Sequence, residues 1–183
     1  MDNAQSVLRV MTIQGHRRHP QGMLLSQNSL ACTQNPLFVT SHGGLDMIFR
    51  DPTCPYGAVV VASAGNGSST GNQEQYESHY PSSYDNVISV CAVACNGDWG
   101  GWASYHPSVD LAAPGESIYS AIIGTGYASW NGSSMAGPNA ASCIGLLKAF
   151  YPELDNNQLT ERILNSADRF IYDRNPEYET CNG

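Results

Sequence analysis

The run Gly57-Ala58-Val59-Val60-Val61-Ala62-Ser63-Ala64 constrains this chain more than any other stretch. Its residues are all small or β-branched, and none is charged. A strand of this kind has no face to give to water, so it must be covered on both sides, as in a parallel sheet held between helices. The run stops at Gly65-Asn66-Gly67, a turn signal. Asn86 to Val93 (NVISVCAV) reads as a second buried strand, and residues 108–113 (SVDLAA) as a short one ended by Pro114-Gly115. Residues 4–13 and 37–41 are strand-like, and residues 117–122 and 126–130 predict a hairpin around Gly124-Thr125-Gly126. Helices are expected over 133–149 and 156–167, with short ones around 22–31 and 45–50; residues 68–85 read as loop. In the helix over 133–149, Ile144, Leu147 and Phe150 are expected on one side and Cys143 in the core. Strands alternating with helices predict an α/β fold with a mainly parallel sheet.

Composition narrows the function. With 183 residues, 42% of them hydrophobic, the chain can build one domain with a real core. Eight Lys and Arg stand against sixteen Asp and Glu, a net charge of −8 with no basic stripe, which argues against nucleic-acid binding. No apolar run approaches the roughly 20 residues that span a bilayer, so no membrane role is expected. No basic segment followed by an apolar one marks a signal peptide, and the compartment stays open. The six cysteines are scattered, without a C-x-x-C pair or a zinc-ligand spacing. Cys91 and Cys95 would share a strand face about 13 Å apart, too far to bridge.

Residues 131–138 read N-G-S-S-M-A-G-P, with two serines at the mouth of the first long helix and a proline inside its first turns. Pro138 brings no N–H, so a carbonyl near Ser134 loses its helical partner. One reading is an ordinary serine N-cap. The other is a nucleophile. Serine attacks poorly at neutral pH unless a base takes its proton, and the oxyanion it creates needs donors; a helix N-terminus has free N–H groups and the positive end of the dipole. The G-x-S-x-G elbow of α/β-hydrolases does not fit, because its histidine follows the serine and no histidine follows His106.

Gly132 to Pro138 resembles the nucleophile motif G-T-S-M-A-x-P of the subtilisin-like serine proteases. Three further blocks resemble that family in its order: Val59 to Asn66, the strand ending in the oxyanion asparagine; Tyr80-Pro81 through Val93; and Val109-Asp110-Leu111-Ala112-Ala113-Pro114-Gly115. The likeness covers roughly residues 37–170, and weakly 4–13. It implies a three-layer α/β/α fold, incomplete on its N-terminal side, with residues 1–36 as a remnant, 37–170 as part of the catalytic domain and 171–183 as a polar tail. It implies that Ser134 is the nucleophile and that its N–H and the Asn66 amide hold the oxyanion. It further implies that Ser41, His42 and Gly43 pair with the substrate backbone, and that Ala62, Ser63 and Ala64 wall an open specificity pocket. The partner is then a polypeptide substrate. Calcium is common in the family, but no dense carboxylate loop is present, so no cofactor is predicted.

This sequence departs from the family pattern in having Ser133 for threonine and Asn139 for histidine. The larger departure is that the aspartate block D-[ST]-G and the histidine block H-G-T-H are not found in the 183 residues. His42, in Ser-His-Gly-Gly, sits where the substrate-pairing strand belongs, and His16, His19, His79 and His106 lie in loop-like context. Three readings follow: the C-terminal part of a protease whose Asp and His come from a separate N-terminal chain or a removed piece; a non-catalytic relative used for binding or assembly; or a plain structural α/β module. The first expects apolar surface near Val59, Val61 and Met135 to be uncovered unless residues 14–35 or a partner chain fill the gap, and so self-association or a requirement for a partner. The N-x-S matches at Asn66 and Asn131 are read as incidental.

Overall fold

The chain's computed structural model describes residues 10–13, 23–24, 38–39, 59–67 and 79–176. Its centre is a parallel sheet of four strands in the order β1 (Val10–Ile13), β4 (Val59–Ser63), β5 (Val87–Val93), β6 (Leu111–Pro114). Every residue of β4 and β5 is buried, as their unbroken apolar runs require. Two antiparallel pairs accompany the sheet: β2 (Met23–Leu24) with β3 (Phe38–Val39), and β7 (Ile118–Ala121) with β8 (Tyr127–Trp130).

Helix α1 (Ser133–Phe150) lies across all four strands of the sheet. Its buried side is Ser133, Ala136, Gly137, Ala140, Ala141, Ile144 and Lys148, spaced three and four apart along one face. Most of these are small, so the helix comes close to the sheet, and Ala136, Ala140, Ala141 and Ile144 form one core with Val59, Val61, Val90 and Ala92. The buried Lys148 ammonium donates to the carbonyls of Pro152 and Leu154 just beyond the helix end, where the dipole favours a cation. Helix α2 (Asn156–Asn165) packs on α1 and starts with a capping box. Asp155 Oδ1 accepts from Gln158 N (2.8 Å), and Gln158 Oε1 accepts from Asp155 N (3.0 Å).

The third layer lies on the other face of the sheet. A Cβ added to Gly115 would touch the β-carbons of both Ala92 and Ala136, so Ala92 faces α1. Alternation along β5 then turns Cys91 and Val93 the other way. There they line a cavity with Trp99, Tyr105 and residues of the short helix α3 (Phe170–Arg174).

Several expectations are corrected. Cys143 is exposed rather than in the core. Phe150 is 82% exposed and Leu146 67%, because the stripe 143, 146, 150 lies about opposite the small-residue face that packs on the sheet. Val59 and Val61 are fully buried, and among the described residues exposed large apolar side chains lie on the far side of α1 and on the β7–β8 hairpin, at Tyr119, Ile123, Tyr127 and Trp130. Residues 23–24 are extended, not helical. Residues 170–176 are held rather than trailing: Asn175 accepts from Trp99 N (2.9 Å) and donates to the Gly97 carbonyl (2.8 Å), and Arg174 pairs with Asp98 (2.8 Å). The helix expected over 45–50 lies outside the described residues.

Ile144 is the largest fully buried side chain of α1, at the centre of its contact with the sheet. Ile144→Ala is expected to lower stability by about 2–4 kcal/mol through lost burial and the cavity left behind. Urea unfolding checks this: the midpoint should fall while the slope stays unchanged.

Candidate active site

Strand β4 ends in a turn that only glycine permits. Gly65 has φ +121°, in the left-handed region, and a Cβ there would stand 2.6 Å from Ser104 Oγ. The turn brings Asn66 to the N-terminus of α1, where four hydrogen bonds tie the strand end to Ser133. Asn66 Oδ1 accepts from both the backbone N–H and the hydroxyl of Ser133, each at 2.9 Å. Ser133 Oγ accepts from Gly65 N (3.2 Å), and the Ser63 hydroxyl donates to the Ser133 carbonyl (2.9 Å). Ser133 therefore caps nothing: the N-cap is Gly132, in extended conformation, without a side-chain hydrogen bond. The first of the two serines is instead an anchor for Asn66. Reasoning from sequence missed this, since its only visible sign was the mild exchange of a threonine for another hydroxyl residue.

With Oδ1 held, the orientation of the Asn66 amide is set. Nδ2 lies 3.6 Å from where a Cβ on Gly132 would stand, and the backbone nitrogen of Ser134 lies 3.6 Å from the same point. Two N–H donors and, at 3.3 Å, Met135 Sδ thus border one small space beside Gly132. The N–H groups of Met135 and Ala136 are taken up by the Gly132 carbonyl, whereas that of Ser134 has no acceptor among the described residues. Pro138 brings no N–H back to the Ser134 carbonyl.

Gly132 is itself placed from β6. Its N–H donates to the Gly115 carbonyl (2.8 Å), and Gly115 N donates to Val93 O (2.9 Å). A Cβ on Gly115 would stand 2.6 Å from the Ala92 Cβ and 2.8 Å from Gly132 O, so the chain passes here only as glycine. Asn139, standing where the resembled family has histidine, donates to the Pro114 carbonyl (2.8 Å) and joins α1 to the end of β6.

The back of the Asn66 turn rests on a segment that carried no signal in the sequence. Ser104 N donates to Gly65 O (3.1 Å), Gly67 N donates to Ser104 Oγ (3.2 Å), and His106 Nε2 sits 3.3 Å from Ala64 O. The other predicted residues divide. Ala62, Ser63 and Ala64 are buried, with the Ser63 hydroxyl committed to Ser133. Ser41, His42 and Gly43 lie outside the described residues, as do His16 and His19. Among the described residues, no imidazole or carboxylate is hydrogen-bonded to the Ser134 hydroxyl. The Asp110 carboxylate accepts instead from Ser89 N (2.8 Å). Among the described residues, no group of three or more His, Cys, Asp or Glu is placed to hold a metal ion, and no helix is long and apolar enough to cross a membrane.

Comparison with known proteins gives a match to the family model described as "Subtilase family" over residues 2–181. Subtilisin DY of Bacillus licheniformis is 39% identical over 120 residues, 63% of this chain and 43% of that protein. A thermostable alkaline protease of Halalkalibacterium halodurans is 38% identical over 111 residues, 61% of this chain and 29% of its own length. Alkaline elastase YaB of a Bacillus species is 36% identical over 111 residues, 61% of this chain and 28% of its own length. The chain spans less than half the length of these curated relatives.

Proposed function

The chain belongs to the subtilase family, and on that premise we propose that it forms the C-terminal portion of a subtilisin-like serine endopeptidase, carrying the nucleophile and the oxyanion-binding groups. Ser134 Oγ attacks the scissile carbonyl of a polypeptide. The carbonyl oxygen, becoming an oxyanion, enters the space beside Gly132 and takes hydrogen bonds from the Ser134 N–H and Asn66 Nδ2. The tetrahedral intermediate then collapses to an acyl-enzyme, and the leaving amine takes the proton that Ser134 gave up to the base. The base and its orienting acid come from polypeptide carrying the family's histidine and aspartate blocks, which these 183 residues do not include. Ser41, His42 and Gly43 remain the candidates for pairing with the substrate backbone.

The observation that carries this reading is the double hold on Asn66 Oδ1 by Ser133. A purely structural module gains nothing evident from an asparagine whose acceptor is pinned while its Nδ2 and the nitrogen of the next serine stand at equal distance from one point beside Gly132.

Peptide hydrolysis tests the proposal. Residues 1–183 alone should show no more than the residual catalysis left when a triad loses its base, about 10³–10⁴ over water. Adding a second chain that bears the aspartate and histidine blocks should restore cleavage. Efficient cleavage by the chain alone would place the base among His16, His19, His42, His79 and His106. A second chain that binds without restoring cleavage would favour a non-catalytic relative.

A further inference from the structure

The turn at Ala64–Gly67 is clamped between Ser133 in front and the segment Ser104–His106 behind. A carbonyl oxygen can only accept, so at the Ala64 contact His106 Nε2 carries the proton. Nδ1 is then a bare lone pair, and it is buried without a partner among the described residues, in a residue only 2% exposed. A neutral imidazole tolerates that position. An imidazolium does not, because its second N–H would find no acceptor.

Among the described residues the surroundings offer no compensation. His79 packs against the same turn, with Cδ2 3.1 Å from where a Cβ on Gly65 would stand. On the other side, His106 lines a largely apolar cavity of about 120 Å³. The titratable groups facing that cavity are Cys91 of β5, Tyr105, Asp110 ahead of β6 and Tyr172 of α3. Burial pushes the Cys91 thiol up to about 12, so it stays neutral. Asp110 is engaged with Ser89 N, and among the described residues no carboxylate is hydrogen-bonded to His106.

We propose that His106 is a positioning residue for the oxyanion asparagine, holding the Asn66 turn while its imidazole is neutral and releasing it when protonated. The inference rests on the reading of Asn66 as an oxyanion donor. Burial lowers the pKa of His106, opposed in part by its bond to Ala64. Burial first, and then the charge of His106, lower that of His79. The closed turn therefore takes up a proton less readily than the released one. The hold is complete above the ordinary histidine value of 6.5 and weakens as pH falls below it, by up to about tenfold per pH unit for the His106 proton.

The test is NMR of the ¹⁵N-labelled chain 1–183 from about pH 8 to about pH 5, following the Gly67 amide and the Asn66 side-chain amide. Both should shift or broaden together, with a midpoint below 6.5. In His106→Gln, which keeps a donor for Ala64 O and does not titrate, they should stay constant. In His79→Gln the transition should persist, because the contact of His106 with Ala64 O is unchanged. Constant resonances in the wild type, or an unchanged transition in His106→Gln, would overturn the proposal. Should that variant not fold, a His106 ring proton titrating at or above 6.5 in the wild type would do the same. These resonances report the turn whether or not the chain cleaves peptides, so failure of the protease reading appears only in the hydrolysis assay.

Discussion

Ser134→Ala is expected to lower the turnover of the assembled enzyme by about 10⁶-fold, the loss found when the serine of a subtilisin triad is removed. Ser133→Ala, one residue away, should cost only about tenfold. The two hydroxyls do different work. In the proposed reaction Ser134 supplies the atom that becomes bonded to the substrate, and no other group in the proposed site replaces it. Ser133 Oγ makes one of the two bonds on Asn66 Oδ1, and the backbone N–H of Ser133 survives the substitution and keeps the other. Losing the one hydrogen bond that reaches Asn66 is worth about 1 kcal/mol, or about five- to tenfold in turnover, while the bond from Gly65 N, lost with it, costs stability. Steady-state kinetics of both variants should therefore differ by about five orders of magnitude in kcat. Equal losses would show that the wrong serine has been assigned, or that the whole segment is structural.

What was legible in the sequence was what local pattern encodes. The runs at 57–64 and 86–93 had to be strands covered on both faces, and Gly124-Thr125-Gly126 had to turn a hairpin; both stand in the fold. The buried face of α1 was not legible, because it is made of Ser, Ala and Gly rather than of large apolar residues. An apolar-periodicity argument followed Cys143 and Phe150 instead and placed them on the wrong side. The anchoring of Asn66 was hidden for another reason: its partners stand far off in sequence, Ser133 by 67 positions and, behind the turn, Ser104 and His106 by 37 and 42 from the groups they bond. No local rule relates such residues. The glycines were visible as punctuation, but their necessity at Gly65 and Gly115 lies in what a Cβ would strike, Ser104 in one case and Ala92 with Gly132 in the other.

Replacing Asn66 should separate the chemistry of the site from its architecture. In Asn66→Ala the oxyanion loses a donor, and kcat should fall about 10²–10³-fold with KM little changed, since the donor acts on charge that develops only in the transition state. The same change takes the acceptor from both Ser133 groups, so some loss of stability will accompany it. Asn66→Asp has no such ambiguity. The carboxylate keeps an oxygen where Oδ1 stands, so the N–H and hydroxyl of Ser133 keep their acceptor and the unfolding temperature should hold. Its second oxygen takes the place of Nδ2, beside the nitrogen of Ser134, and meets the developing oxyanion with negative charge where a donor is needed. Activity should therefore fall at least as far as in Asn66→Ala while thermal unfolding stays at the wild-type temperature. If the aspartate variant kept its activity, Nδ2 would not be an oxyanion donor. If it lost stability as well as activity, the hold by Ser133 would depend on the amide and not on Oδ1 alone.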